Sequence, residues 1–280
     1  MSTDHPNLSQ HNHFKRFFKD INNLSISDIT SDINVNPNSI NCKYYDIPSF
    51  TKIKKLKKHL SIFPLNIASL SKHKDEIMTL FEMLDWNFDF IGLTETKIQN
   101  TSPTFNAELD GYKLFSTPTE SEKGGAILFV KEHFISKRRS DLEKVSYKPK
   151  HLESVFIEIC NKNKKNLVIG CIYRHPSMDL NLFNTDFLSP LLQILDKENK
   201  QLFLIGDFNI NLMNINSNPD TASFFERISS SLFVPHIIFP TRCTTNSNTL
   251  IDNIFSNCNN FQDGISGNLT VAISDHLPQF

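Results

Sequence analysis

From Ser61 onward, short apolar runs alternate with longer amphipathic stretches, and this alternation leaves few fold classes open to the chain. Short apolar runs bounded by turn residues predict buried strands, whereas apolar residues spaced three and four apart predict helices. Strands interleaved with helices are typical of α/β folds, and the runs here outnumber those that a simple doubly wound sheet needs. The predicted strands span 61–67, 88–96, 124–130, 153–160, 166–173, 201–208 and 250–256, and the predicted helices span 72–86, 181–197 and 220–232.

The composition separates a polar leader from one larger domain. Residues 1–58 are rich in Asn, Ser, Asp and His and show no sustained periodicity, so they are predicted to be largely disordered. Residues 59–280 form the predicted domain. The formal net charge of the 280 residues is −1. This value argues against a polybasic protein that coats nucleic acid, but not against an enzyme that meets a polyanion at a local site.

Several classes of protein are not indicated by the sequence. No apolar run reaches the ~18 residues of a transmembrane helix, so no membrane partner is predicted. The 5 cysteines are scattered and odd in number, and none are spaced C-x-x-C. They predict reduced thiols in an intracellular protein rather than a zinc site or a disulfide framework. The GxSxG, HExxH and Walker A signatures are absent.

Polar side chains stand in or directly beside most of the predicted strands. Each taken alone could simply cap a turn or a helix, as strand-end carboxylates usually do. Their recurrence is harder to explain in that way, because ligands of α/β proteins gather beyond strand ends. A carboxylate inside an apolar run must also be paired when it is buried. The residues concerned are Asn66, Glu95, Tyr173, Asp207, Asn209, Asp252, Ser274, Asp275 and His276.

The types of these residues predict metal-assisted phosphodiester hydrolysis. Carboxylates such as Glu95, without a Cys or His cluster, suit a hard ion such as Mg²⁺. The pair Asp207 and Asn209 offers an acceptor for a water proton and an amide donor for an oxyanion. A His276–Asp252 pair would hold an imidazolium that stabilises charge developing on phosphorus. Together these parts match the chemistry of a metal-dependent phosphodiesterase.

Six short motifs carry these residues in order: LNIASL, GLTET, YRHP, GDFNINL, TLIDNIF and ISDHLPQF. In this order they resemble the endonuclease/exonuclease/phosphatase superfamily, whose members include apurinic/apyrimidinic endonucleases and deoxyribonuclease I. More narrowly, segments such as LESVFIEI and PTRCTTNSNTLIDNIFSN resemble the endonuclease domain of LINE-type, non-LTR retrotransposons of the jockey-like group. The resemblance implies a DNase I-like α/β fold, a four-layer α/β/β/α sandwich of two mixed sheets.

The resemblance also implies a metal end of the site. Glu95 would be the main metal ligand, and Asn66 and Asp275 would complete or support its coordination. The implied cofactor is Mg²⁺, with Mn²⁺ as a substitute. Two places after Asn66 the chain carries Ala68, where some repair relatives carry an acidic residue, so a second metal position is not expected there.

The remaining residues would act on the phosphate. Asp207 would position and activate the attacking water, and Asn209 would bind the scissile phosphate. Tyr173 would support the phosphate or the leaving group. His276, oriented by Asp252, would stabilise the pentacovalent transition state. Supporting contacts are expected from Ser274 and Thr241.

The implied substrate is double-stranded DNA, nicked on one strand to leave a 3′-OH that primes reverse transcription. The other implied partners are the element RNA and the reverse transcriptase of a full-length protein, and the expected location is the nucleus. A basic run at 137–150 offers phosphate contacts, although a solvated loop explains it equally well. The candidate DNA contacts are Arg174, Lys137, Arg138, Arg139, Lys148 and Lys150.

Two alternatives to the retrotransposon endonuclease stay open. The first is an abasic-site repair endonuclease. The second is a non-catalytic remnant, because the sequence stops at Phe280, where the strand after the SDH motif should begin. A truncated final strand is expected to weaken the loop that carries Asp275 and His276. A phosphomonoesterase acting on lipids or inositol phosphates fits the local motifs less well.

Overall fold

The computed structural model describes residues 41–54, 59–99, 106–120, 123–161, 164–258 and 264–280. Every strand predicted from the sequence is present, and its ends lie within two residues of the prediction. Seven further short strands are present that the sequence pattern did not indicate. The strands are β1 (Cys42–Tyr45), β2 (Ile62–Asn66), β3 (Phe90–Thr94), β4 (Tyr112–Thr117), β5 (Ala126–Lys131), β6 (Ser136–Arg138), β7 (Leu152–Ile159), β8 (Leu167–Arg174), β9 (Gln201–Asp207), β10 (Val234–Pro235), β11 (Arg242–Cys243), β12 (Asn248–Thr249), β13 (Asp252–Ser256) and β14 (Ser266–Leu269).

The predicted helices are present as well, and one of them is interrupted. The predicted helix 181–197 is a continuous helical segment whose middle is wound as a π-helix, Phe183–Leu188. A 3₁₀ turn, Leu212–Asn214, follows β9. The helices are α1 (Ile47–Phe50), α2 (Leu70–Leu84), α3 (Ser140–Val145), α4 (Leu180–Leu182), α5 (Ser189–Asp196) and α6 (Pro219–Ser230).

Most of the strands form two mixed sheets. The larger sheet has the order β10-β13-β9-β8-β7-β6, and the smaller one has the order β2-β3-β5-β4. Parallel pairing joins β2 to β3 and β8 to β9, whereas β3–β5 and β9–β13 are antiparallel. Pro64 lies in β2 at the edge of the smaller sheet, as its missing N–H predicts.

The strand β3 shows how the two sheets pack. Phe90 belongs to the core between the sheets, whereas Ile91 and Leu93 belong to a second core on the opposite face. Gly92 points toward the larger sheet, and a Cβ atom there would lie 2.6 Å from the Ile205 side chain. Alternate residues of this strand therefore pack into two different cores. The two sheets approach closely at Gly92, because glycine has no side chain.

Helices cover the outer faces of both sheets. On the smaller sheet, α2 buries Ile77, Leu80 and Leu84 against the second core. On the larger sheet, α5 and α6 bury residues such as Leu195 and Phe224. The layers therefore run α/β/β/α, which confirms the predicted four-layer sandwich. Among the described residues, no helix combines the length and the apolarity that crossing a bilayer requires.

The predicted start of the domain at residue 59 needs correction. β1 runs parallel to β14, with Cys42 opposite Ser266. In α1, Phe50 is only 1% exposed. Its ring centroid lies 5.2 Å from that of Trp86 and 4.8 Å from that of Phe280. The segment that carries β1 and α1 therefore belongs to the folded domain, although the sequence prediction assigned it to the leader.

The reason for this error is the distance along the chain between the paired segments. Asn41 accepts hydrogen bonds from Ser266, 225 positions later, and no local pattern reveals such a partner. The rest of the predicted leader, residues 1–40 and 55–58, lies outside the described residues.

The residues after His276 pair at single points rather than as a regular strand. The Gln279 amide donates to the Pro64 carbonyl at 3.1 Å, on the open edge of β2. Phe280 and Gly267 exchange two backbone hydrogen bonds of 3.0 and 3.1 Å. The segment that was expected to be a truncated strand therefore contacts both β2 and β14, and these contacts hold the loop before it.

The packing of Phe50 predicts the consequence of removing its ring. Phe50→Ala should lower the free energy of unfolding by about 3–5 kcal/mol, because it deletes a fully buried aromatic side chain and leaves a cavity. Urea unfolding of the full chain measures this change. Lys52→Ala, an exposed substitution two residues later, should change stability by less than about 0.5 kcal/mol. Equal stability of the two variants would place α1 outside the domain.

Candidate active site

The predicted site residues lie where strands of the two sheets end side by side. In the larger sheet, Asp207 at the end of β9 is opposite Tyr173 on one side and Asp252 on the other. In the smaller sheet, Asn66 ends β2, and Glu95 follows β3. Because the sheets are packed face to face, these strand ends form one cluster that contains side chains from both sheets.

Asn66 joins the two sheets at this cluster. Its Nδ2 donates to Asp207 Oδ2 at 2.8 Å and to Glu95 Oε1 at 3.1 Å. The Tyr173 hydroxyl donates to the same Glu95 oxygen at 2.8 Å. Burial raises the pKa of Tyr173, and the neighbouring Glu95 carboxylate raises it further, so the phenol keeps its proton and acts as a donor. Both of these hydrogen bonds go to Oε1, and no hydrogen bond from another described residue reaches Glu95 Oε2.

Asp207 is the most enclosed carboxylate of the cluster. It is 0% exposed, and burial together with the nearby Asp252 raises its pKa to about 7, although the charge of His276 opposes this shift. Asn209 donates to Asp207 through its backbone N at 2.8 Å and through Nδ2 at 3.1 Å. Its Nδ2 also donates to the Arg174 carbonyl at 2.8 Å. Both amide hydrogens of Asn209 are therefore engaged, and the residue holds Asp207 in place.

His276 and Asp252 form the buried pair that the sequence predicts. Nδ1 of His276 lies 2.8 Å from Asp252 Oδ2, and the Thr241 hydroxyl donates to the same oxygen at 2.5 Å. The Leu277 amide donates to the Thr241 carbonyl at 2.7 Å, which brings the two segments together. Burial alone would lower the pKa of His276, but the Asp252 carboxylate outweighs it and raises the pKa to about 9.

The loop before His276 is anchored to the smaller sheet, but its carboxylate points elsewhere. Ser274 Oγ donates to the Asn66 carbonyl at 2.6 Å and accepts from the His276 amide at 3.1 Å. Asp275 is about half exposed and pairs with Arg242 at 2.7 Å. Burial would raise the pKa of Asp275, but the positive charges of His276 and Arg242 lower it. The structure therefore places Asp275 in an ion pair rather than in contact with Glu95.

The oxygen atoms of this cluster fit a divalent cation. Ligand atoms of Asp207, Asp252 and His276 all lie within 4.8 Å of one another. Asp252 Oδ1 is buried and has no hydrogen-bond partner among the described residues. Within the same part of the chain, no Lys or Arg forms a salt bridge with Glu95 or Asp207. The carboxylates on the two sides of Asn66 are therefore not neutralised by Lys or Arg, and they are a donor set that suits a hard cation.

Two of the predicted DNA contacts are wrong, because their guanidinium groups are buried. Arg174 is 3% exposed, and it donates to the carbonyls of Phe208, Met178 and Asn209 at 2.5–2.8 Å. Burial lowers the pKa of this guanidinium to about 10. Arg174 therefore holds the backbone that carries Asp207 and Asn209.

Arg139 is 7% exposed and has its own set of carboxylate partners. It pairs with Asp141 at 2.6 Å and Glu158 at 3.1 Å, and it also pairs with Glu198. A phosphate contact would have to break this network.

The other basic residues of the 137–150 run lie at the surface. Arg138 donates to both oxygens of Glu143 at 2.9 and 3.0 Å. Lys148 lies over the Phe187 ring at 5.9 Å, and Lys150 is exposed with a φ of 62°. No contact of these residues with the cluster around Asp207 is present, so their role as DNA contacts stays a prediction.

Sequence reasoning missed three residues near the site. Arg242 pairs with Asp275, and Glu153 and His175 lie buried beside Tyr173. Glu153 stands inside the apolar run LESVFIEI, the same signal that identified Asp252. A carboxylate between strand residues predicts a buried partner, and this signal could have found Glu153.

The raised pKa of His276 predicts how stability depends on pH in metal-free buffer. Its folded pKa of about 9 lies above the ordinary value of 6.5, so its stabilisation is complete below pH 6.5 and is lost as pH rises through 9. The free energy of unfolding should therefore fall by about 2–3 kcal/mol across this window. Urea unfolding between pH 8 and 9.5 measures the slope, because Asp207, with its pKa of about 7, is largely ionised by pH 8. Asp252→Asn should flatten the slope, and equal slopes in both proteins would contradict the pairing.

Comparisons with known proteins agree with this geometry at the level of the fold. No protein-family model and no curated protein sequence matches the chain. Several solved structures match over most of its length, and three of them show the range of proteins concerned. The AP endonuclease LMAP from Leishmania major matches with a TM-score of 0.63 and 14% identity, covering 86% of this chain and 96% of that chain.

The two other structures are a retrotransposon domain and a phosphatase. The endonuclease domain of TRAS1, a telomere-specific non-LTR retrotransposon, matches with a TM-score of 0.57 and 12% identity, covering 79% of this chain and 96% of that chain. The 3′ phosphatase NExo from Neisseria, bound to a product DNA hairpin, matches with a TM-score of 0.59 and 13% identity, covering 79% and 98%. The chain therefore has the fold of the endonuclease/exonuclease/phosphatase structures, as the resemblance of its motifs implies.

Proposed function

We propose that this protein is a metal-dependent DNA endonuclease that hydrolyses one phosphodiester bond and nicks its target for reverse transcription of a mobile element. The observation that carries the proposal is the position of Asp207. Its carboxylate contacts Asn66, which also binds Glu95, and lies within 4.8 Å of the His276–Asp252 pair. The proposed water base Asp207, the candidate metal ligand Glu95 and the imidazolium of His276, which would contact the phosphate, thus lie close together.

The side chains divide the reaction between them. Asp207, with its pKa near 7, accepts a proton from the attacking water. His276 has its Nδ1 held by Asp252, so its Nε2–H remains as the donor toward the phosphate oxygens as negative charge develops. Asn209 exchanges one of its hydrogen bonds within the protein for a phosphate oxygen, and Tyr173 donates to the metal-side carboxylate.

The cation would be held by the end of the site that belongs to the smaller sheet. Glu95, with its open oxygen, and Asn66 would bind Mg²⁺ or Mn²⁺, and Asp275 would join them after leaving Arg242. When bound, the divalent cation stabilises negative charge on the phosphate as a Lewis acid.

The biological role in the proposal rests on the motifs and on one solved relative. LESVFIEI and PTRCTTNSNTLIDNIFSN resemble LINE-type endonucleases, and the TRAS1 endonuclease domain shares the fold. Double-stranded DNA is therefore the proposed substrate. The element RNA and a reverse transcriptase are the proposed partners, and the nucleus is the proposed place of action.

Plasmid nicking tests the proposed activity and its dependence on the site. The full chain should convert supercoiled plasmid to open circles with Mg²⁺ or Mn²⁺, and EDTA should stop the reaction. Asp207→Ala and His276→Ala should each lower the nicking rate by about 10²–10³-fold, because they remove the water base and a preorganised donor.

Glu226→Ala is the matched control, since Glu226 is an exposed carboxylate on α6, and it should nick as fast as the unchanged protein. Folded protein with no metal-dependent nicking would contradict the proposal and favour a non-catalytic remnant.

Abasic-site repair is the second candidate function, because the AP endonuclease from Leishmania major covers 86% of this chain with a TM-score of 0.63. Two duplexes of the same sequence, one with a single abasic site, separate the two functions. A retrotransposon endonuclease should cleave both at rates within about tenfold of each other, whereas cleavage of the abasic duplex alone would identify a repair enzyme. Gel analysis of the end-labelled products gives both rates.

A further inference from the structure

The backbone around Glu95 adopts a left-handed conformation that is disfavoured for residues other than glycine. Glu95 has a φ of 50° and Lys97 a φ of 56°, and neither is glycine. The left-handed region is disfavoured for residues with a Cβ atom and persists only where the surroundings hold it. The position of the Glu95 carboxylate therefore depends on whatever fixes this turn.

A turn made of two glycines fixes it. The Lys97 amide donates to the Gly124 carbonyl at 2.8 Å, and the Thr96 amide donates to the Gly125 carbonyl at 3.3 Å. Gly124 and Gly125 have φ values of 118° and 89°, which favour glycine. A Cβ atom on Gly125 would lie 2.4 Å from the Thr96 hydroxyl. The glycine turn and the Glu95 turn are thus in direct backbone contact.

The buried carboxylate of Glu153 holds the glycine turn in place. The Gly125 amide donates to Oε2 of Glu153, which is 1% exposed. Glu153 lies on β7 directly opposite Tyr173 on β8. Tyr173 donates to Glu95 from the other side. Two paired residues of β7 and β8 therefore act on the Glu95 carboxylate: Tyr173 by a direct hydrogen bond, and Glu153 through the glycine turn.

The neighbours of Glu153 are as enclosed as Glu153 itself. Nε2 of the buried His175 lies 3.6 Å from Glu153 Oε2, and the His175 ring packs edge-on against Tyr173 at 4.6 Å. A Cβ atom on Gly124 would come within 2.4 Å of the Glu153 carboxylate. A carboxylate kept this far from water needs specific partners, and its hydrogen bond goes to the glycine turn.

We propose that Glu153 is a positioning residue for Glu95: its carboxylate fixes the Gly124–Gly125 turn, which holds the left-handed backbone at Glu95 in the geometry that binds a divalent cation. This assignment rests on the proposed function of the site. In this assignment Glu153 touches neither the cation nor the substrate. It acts through the hydrogen bond from the Gly125 amide and then through the backbone hydrogen bonds between the glycine turn and residues 96–97. Loss of an outer partner of a metal ligand typically costs 10–100-fold in metal affinity.

Three variants of the full chain test this role with Mn²⁺ as the probe. Glu153→Ala removes the acceptor, Glu153→Asp withdraws it by one methylene, and Glu153→Gln keeps an oxygen that can accept from Gly125. Electron paramagnetic resonance of free Mn²⁺ gives the dissociation constant of each. The alanine and aspartate variants should bind Mn²⁺ about tenfold more weakly, and the glutamine variant should stay within about twofold of the unchanged protein.

A second measurement reads the turn itself without metal. Hydrogen exchange followed by mass spectrometry should show exchange at the Thr96 and Lys97 amides at least about tenfold faster in the alanine and aspartate variants. The matched control is Glu158→Ala, at the other end of β7. Glu158 is also buried and bonds to Arg139 and Lys200. This control should leave both readouts unchanged even if it lowers stability.

The outcomes separate this assignment from the proposed function. Folded Glu153→Ala with unchanged Mn²⁺ affinity and unchanged exchange at Thr96 and Lys97 would overturn it. If the alanine variant does not fold, the same two results in Glu153→Asp decide. Equal weakening by Glu158→Ala would also overturn it, because the effect would then be one of general stability. If the unchanged protein neither nicks DNA nor binds Mn²⁺, the proposed function fails, and the exchange data alone still decide whether Glu153 holds the turn.

Discussion

The register of β9 against its two neighbours is the constraint on which the candidate site depends. It places Asp207 in one row with Tyr173 and Asp252, and a slip of β9 by one residue would turn the Asp207 side chain to the opposite face, away from both partners. The buried Asp207 carboxylate is costly, as its raised pKa shows. Hydrogen bonds from Asn66 and Asn209 and the charge of His276 offset part of that cost. The contact with Asn66 is also the point at which the ends of the two sheets meet.

The parts of the fold that could be predicted are those with a local signal. The apolar runs that became β3 and β9 carry their own pattern, and Asp207 and Asp252 stand out because they interrupt or end such runs. The pairing of β1 with β14 has no local signal, since neither strand is apolar enough to be recognised alone. The predicted leader was therefore drawn too long.

Charge alone misled the prediction of DNA contacts. Arg139 and Arg174 are part of basic or polar stretches, and a sequence does not show whether a guanidinium faces solvent or a buried carboxylate. In the structure, Arg139 forms an ion pair with Glu198, and Arg174 donates hydrogen bonds to backbone carbonyls. The reverse error concerns Glu153, whose place inside an apolar run was overlooked although its carboxylate is buried beside Tyr173. Long-range partners decide the role of each charged residue here, and they are visible only in three dimensions.

The parallel pairing of β1 with β14 has a consequence for how the chain is made. Asn41 leaves the ribosome 225 residues before its partner Ser266, so β1 cannot pair until β14 has also been synthesised. Contacts so distant in sequence slow folding, because the entropy of closing a long loop is lost before any contact forms. During that wait the apolar faces of β2 and β3 are synthesised but not yet covered by the larger sheet. Folding of this domain is thus completed only after β14 has been synthesised, and until then its exposed strands are open to aggregation.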